Sequence, residues 1–386
     1  MAVIYMDNAS GTDLLDDVYH EMIPFFQNDF GNPSSIHPLG VGPKKALDLA
    51  RERVAGLIGG DPGDIYFTSC GSESNNLAIK GTALASEKKG KHIVVSAIDH
   101  QSVHNATKSL MRLGWEVTTV GVDSTGMVDP SEIADALRDD TVLVSVIHAS
   151  NEIGTIVPIR NIAAVVKERG IPFHTDAVAS SGNIPIDVDD MGVDMLSLSA
   201  NMFGGPKGAA ALYIRKGVRV FSLIDGGIQE RGRRAGTENV PAIAGFGKAA
   251  EIADRDLDQR TSIILLLREQ LIEGLISRIP KLTLNGHREI RLPGNVHVSI
   301  EAIEGESILY SLAKKGIMAA SGSSCADKAL KSSHVLSATG LDPALANASI
   351  LFSLGFNNTI WEVNHLLDEL PPIVKRLRNM SPLWSE

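Results

Sequence analysis

Between residues 40 and 255, short runs dense in Val and Ile alternate with longer segments whose apolar residues recur every three to four positions. That alternation predicts repeated strand–helix–strand units. Strands are expected at His92–Ser96, Trp115–Val120, Val142–Ile147, Pro172–Thr175, Met195–Ser199 and Ala209–Ile214, and their scarcity of polar alternation suits central strands covered on both faces. A helix is expected from Pro43 to Leu57, with Ala46, Leu49, Val54 and Leu57 on one face and Gly59-Gly60 as its stop. Asp129-Pro130-Ser131-Glu132 reads as a helix start, with a capping Asp, a Pro at the first helical position and a Glu three residues past the cap; that helix runs to about Leu137. From about Asp254 the pattern changes to a long helix (Gln259–Ile276), a run at Asn295–Ile300 and helices near Glu306–Lys314 and Ile360–Leu377. A second, smaller α+β domain is the reading: residues 15–255 form a large domain, and residues 1–14 with 256–386 a small one.

Composition narrows the function classes. The chain has 386 residues, 44% apolar and 21% charged, the mix of an ordinary globular protein. Acidic residues outnumber basic ones by 46 to 36, for a net charge of -10. That sign argues against a nucleic-acid partner, which usually meets a basic face. No apolar run approaches the roughly 18 residues that span a bilayer, so no membrane partner is expected. The segment Met1–Asn8 has no signal-peptide character, and a cytoplasmic location is expected. The two cysteines, Cys70 and Cys325, are too few for a disulfide scaffold and too far apart for a metal-ligand motif.

The chemistry is concentrated where strands are predicted to end. Phe67-Thr68-Ser69-Cys70-Gly71-Ser72-Glu73-Ser74-Asn75-Asn76 runs from a strand through small residues into a helix, which suits a phosphate held on backbone amides and equally suits a plain capped loop. Asp99-His100, Ser150-Asn151-Glu152-Ile153-Gly154, His174-Thr175-Asp176-Ala177 and Ser197-Leu198-Ser199 also lie at or just past predicted strand ends, where open α/β sheets bind ligands. In this order, together with Gly31-Asn32-Pro33, Gly204-Gly205-Pro206-Lys207-Gly208, Gly226-Gly227-Ile228-Gln229-Glu230-Arg231, Ala235-Gly236-Thr237 and Ser321-Gly322-Ser323-Ser324-Cys325, the motifs resemble the cysteine desulfurases of the NifS/IscS type. The resemblance covers nearly the whole chain. It implies the fold of type I pyridoxal phosphate (PLP) enzymes, an α/β architecture with a mainly parallel sheet in the large domain and a small α+β C-terminal domain.

Carried over residue by residue, the resemblance implies that His100 stacks on the cofactor ring, Asp176 pairs with the ring nitrogen and Asn151 approaches the phenolic oxygen. Gly71, Ser72, Ser199 and Thr237 are implied to bind the phosphate, Thr237 reaching the partner subunit of a homodimer. Cys325 falls at the persulfide-forming position. Three departures stand out. The family reads Ser-x-Ser-x-His-Lys before Gly-Pro-Lys-Gly, and here Asn201 and Met202 replace the His and the Schiff-base lysine. Leu351 stands where an arginine clamps the substrate carboxylate, and Ala179 where a glutamine supports the phenolic oxygen. Methionine cannot form a covalent bond to the cofactor or move a proton, and Lys207, five residues on, is a poor substitute. The expectation is a desulfurase-like protein of iron–sulfur cluster assembly without desulfurase turnover, with PLP absent or held only noncovalently. Such a protein would bind an IscU-type scaffold and offer Cys325 as a ligand to a shared iron–sulfur cluster. The alternative is a working PLP enzyme that converts L-cysteine to L-alanine and leaves a persulfide on Cys325. Cys70 is read as an enclosed packing residue.

Overall fold

In the computed structural model, residues 3–321 and 333–384 are described. Seven strands form the central sheet: β1 (Ile65–Thr68), β2 (His92–Ser96), β3 (Glu116–Val120), β4 (Thr141–Ile147), β5 (Phe173–Asp176), β6 (Met195–Ser199) and β7 (Ala210–Ile214). Their order is β1-β7-β6-β5-β4-β2-β3. β2 to β6 run parallel, and β7 lies antiparallel between β6 and β1. This is the mainly parallel α/β sheet expected of the sequence. Every residue of β1, β2, β4, β5, β6 and β7 is buried, which is why their sequences lack polar alternation. β3 is the edge, and its Glu116 and Thr119 face solvent.

The smaller sheet holds β8 (Leu282–Leu284), β9 (Asn295–Ile300) and β10 (Ser349–Ser353), antiparallel in the order β10-β9-β8. Val296, Val298, Ile300, Ile350 and Phe352 pack into one hydrophobic core with Ile4, Met6 and the helix Ile360–Met380. The period of two along a strand puts Asn295, His297, Ser299, Ser349, Leu351 and Ser353 on the opposite face. The first residues are tied in by Ile4–Tyr5, which pairs in parallel with Ile317–Met318.

Two helices differ from expectation. The first runs Pro38–Leu57, five residues longer at its start, and its buried face carries Leu47, Ala50, Val54 and Leu57. Leu49, expected on that face, is exposed. The second is one unbroken helix of 39 residues, Val240–Arg278, where only Gln259–Ile276 was expected. Its first half is rich in Ala and Gly because it packs closely: a Cβ on Gly247 would sit 2.5 Å from the Ala50 Cα. Buried residues up to Ala253 join the core of the seven-stranded sheet, and those from Ile264 onward join the core of the small sheet. Among the described residues, no helix is long and apolar enough to cross a membrane.

Candidate active site

β1 lies parallel to β6 through β7, so β1, β2, β4, β5 and β6 all end on one side of the sheet. There the chain encloses a cavity of about 380 Å³, lined by Gly71, Ser72, His100, Asn151, Asp176 and Ser199 together with Met202, Ala179 and Leu351. Six of the seven predicted cofactor residues therefore meet at one site. Thr237 does not line it and is exposed.

The floor of the cavity is a continuous hydrogen-bond chain. Asp176, at the end of β5, is buried; its Oδ1 accepts from the Val178 amide at 3.0 Å and its Oδ2 from Asn75 Nδ2 at 2.6 Å. Asn75 also donates to Ser102 Oγ at 2.8 Å, and that hydroxyl meets His100 Nδ1 at 2.8 Å. His100 caps the helix Gln101–Met111 by accepting from the Ser102 amide. Asn75 thus links the residue expected under the ring nitrogen to the residue expected on the ring face. It lies in the quoted phosphate motif, on the inner side of the helix Gly71–Asn76, yet sequence reasoning gave it no role.

Other titratable groups around the cavity are shifted by burial. Asp99 is pushed up to about 8, helped by the nearby Asp176 carboxylate, while its Oδ2 accepts from the Ser96 amide at 2.7 Å. Glu152, which lines the cavity, is pushed up to about 7 by burial, against the opposing hydrogen bond from the Ser333 hydroxyl. His148 is pushed down to about 4 by burial and pairs with Ser180 Oγ at 2.9 Å.

Met202 closes the short turn Ala200–Met202 after β6, and its side chain lines the cavity. Asn201 beside it also lines the cavity and is held in place: its Oδ1 accepts from Ser199 Oγ at 2.7 Å, and its carbonyl accepts from the Thr12 amide at 2.8 Å. Lys207 does not line the cavity; its stem lies beside Gly11. Leu351 reaches the cavity from β10 and bridges Ala320 on the main chain. Among the described lining residues there is no lysine or arginine. Cys70, expected to be enclosed, is exposed and lines the cavity, because the extended backbone before the helix turns its side chain outward. Cys325 lies outside the described residues. Among the described residues no cluster of three or more His, Cys, Asp or Glu could hold a metal.

PLP fits this donor set in part. Small residues at a helix start present amides to an anion, and a buried carboxylate at a strand end suits a protonated ring nitrogen. The covalent bond does not fit, since Met202 offers a thioether where an amine is needed.

The class of protein follows from fold and site together. The family model "Aminotransferase class-V" matches residues 4–366. A cysteine desulfurase IscS of Methanosarcina thermophila is 50% identical over 98% of this chain and 94% of its own length, and one of Dictyoglomus turgidum is 47% identical over 99% and 97%. A solved NifS-like protein, 38% identical, superposes with a TM-score of 0.91 over 97% of this chain and all of its own. The chain belongs to the NifS/IscS-type cysteine desulfurase family within the class-V aminotransferases.

Proposed function

We propose that the chain serves iron–sulfur cluster assembly as a desulfurase-family protein that binds an IscU-type scaffold and does not by itself turn over cysteine. The observation that carries this reading is Met202 at the lysine position, in a cavity whose described walls hold no other lysine and no arginine. When bound, PLP supplies an electron sink for a substrate carbon. Here Gly71, Ser72 and Ser199 would hold its phosphate, with Thr237 of the partner subunit. His100 would cover its ring, Asp176 would face the ring nitrogen and Asn151 the phenolic oxygen. These contacts allow noncovalent occupancy. They do not replace a base at residue 202, and Leu351 gives a substrate carboxylate no cation.

Under this reading residues 15–255 act as the large domain, supported by the separate core of the small sheet that Ile4 and Met6 join, and the protein works as a cytoplasmic homodimer. Cys325 serves as the thiolate offered to a cluster built mainly on the scaffold.

The names of the relatives favour a second reading, an active desulfurase with its persulfide on Cys325. The experiment that separates the two adds PLP and L-cysteine to the purified protein, then follows sulfide release and the visible spectrum. Absent turnover with weak, dialysable cofactor supports the first reading, and turnover at the rate of an ordinary desulfurase overturns it. The cluster role is tested by anaerobic purification with the scaffold: Cys325→Ser should change cluster content and spectrum, and an unchanged cluster rejects Cys325 as a ligand.

A further inference from the structure

A second cavity, of about 60 Å³, lies behind Met202, between the start of the chain, the middle of the helix Val240–Arg278 and the segment after β10. At roughly 10–15 Å³ per water it has room for several heavy atoms. Arg260 is the only charged side chain among its described lining residues. Ile264, Leu292, Phe203 and Met202 give it an apolar wall, beside the neutral polar side chains of Thr12, Asn151, Asn183 and Thr261 and the one cation.

That cation is poorly neutralised. The Arg260 side chain is 18% exposed, and its one carboxylate neighbour, Asp256 Oδ2, stands 3.5 Å from Nη2. Asp256 is already held by Arg255 through two hydrogen bonds, Nε at 2.7 Å and Nη2 at 2.8 Å. Two arginines therefore share one carboxylate, and the exposed one has the bidentate contact. Arg260 instead lies over the Phe356 ring, 4.5 Å from its centroid, and burial pulls its pKa below the ordinary arginine value. Three of the amides nearby already donate to main-chain carbonyls: Asn8 Nδ2 to Ser353 at 2.9 Å, Asn183 Nδ2 to Ala179 at 3.1 Å and Asn295 Nδ2 to Glu152 at 2.9 Å.

We propose that this cavity binds a small monocarboxylate, with the charge on Arg260 and a short apolar body against Ile264 and Leu292. A single guanidinium matches a single carboxylate, whereas a phosphate dianion would call for further cationic or amide donors. The site shares Asn151, Ala179 and Met202 with the cofactor cavity as a common wall, but Arg260, Ile264 and Leu292 line it alone, and it stands whether or not the protein turns over cysteine.

The test titrates the full-length protein, free of PLP and cysteine, with sodium butyrate at fixed ionic strength, by calorimetry and by the methyl resonance of Ile264. Butyrate should bind saturably at one site per chain and shift the Ile264 methyl. Arg260→Gln should weaken binding at least tenfold, and Ile264→Trp, which fills the cavity, should abolish it. His100→Ala, in the neighbouring cavity, should leave it intact. Non-saturable binding, an unmoved Ile264 methyl, equal affinity in Arg260→Gln, or loss in His100→Ala would each overturn the assignment. Inorganic phosphate that displaces butyrate from this cavity at lower concentration than butyrate itself needs, read at the Ile264 methyl, would overturn the carboxylate class.

Discussion

Arg234 and Glu73 join the segment that carries Thr237 to the helix Gly71–Asn76, with Arg234 Nε donating to Glu73 Oε1 at 2.9 Å. Burial pushes the Glu73 carboxyl up, but hydrogen bonds from Arg234 and Ser69 outweigh it and leave the pKa below the ordinary value. The contribution to stability is therefore complete above about pH 4.3, the unfolded value, and is lost as pH falls through the folded one. Arg234→Ala should cost about 1–2 kcal/mol at pH 7 and less near pH 3.5, as measured by urea unfolding at the two pH values.

Glu230 is almost fully buried and pairs with Arg51 through two hydrogen bonds, 2.7 Å and 2.9 Å, while also accepting from the Phe67 amide at 2.8 Å. Glu230 and Arg231 both adopt left-handed backbone angles, φ 44 and 56, so the pair fastens a turn that its own backbone disfavours. Glu230→Ala leaves Arg51 uncompensated and should destabilise by about 3 kcal/mol. Chemical denaturation gives the number, and a loss below about 1 kcal/mol would mean the turn is held by other contacts.

His297 stands opposite Leu351 in the β9–β10 pair, fully buried, and neither ring nitrogen has a partner among the described residues. Burial pushes its pKa down to about 3, so the folded protein keeps it neutral while the unfolded chain protonates it below about 6.5. The unfolded state then binds more protons, and stability falls as pH drops from about 6.5 toward 3. His297→Leu should match or exceed wild-type stability by about 1 kcal/mol at pH 7. It should also flatten the acid slope by about 1.4 kcal/mol per pH unit, which thermal melts from pH 7 to pH 4 can read.

Met202→Lys with Asn201→His should convert loose PLP binding into tight binding with a new visible absorption, yet release little sulfide, since Leu351 still leaves the substrate carboxylate without a cation. Adding Leu351→Arg should raise sulfide release at least tenfold. Full activity from the first two changes alone would show that the arginine matters less than its position suggests.

The sheet was legible where burial is two-sided: β2 and β6 lie where their Val-, Ile- and Leu-bearing runs predict, and β4, β5 and β7 are within a residue. β10 was not predicted as a strand, because Ile350-Leu351-Phe352 is a run of only three apolar residues between serines, with Leu351 facing a cavity rather than solvent. The helix Val240–Arg278 was half seen, since Gly245 and Gly247 weaken the local signal while serving close packing. The cavity residues were legible as small and polar motifs at strand ends. Asn75 was not, because its partners Asp176 and Ser102 are distant in sequence. Cys70 was misplaced because the direction of a side chain in an extended turn depends on backbone angles that residue type does not dictate.

The helix Val240–Arg278 is also a mechanical element. A connection of 39 residues without a break lacks the loop residues at which two bodies usually swing. Any widening between the two sheets must flex this shaft, so motion there should be small in amplitude. The same shaft carries load from one core to the other, and heating should melt both in one calorimetric transition, as a single cooperative unit.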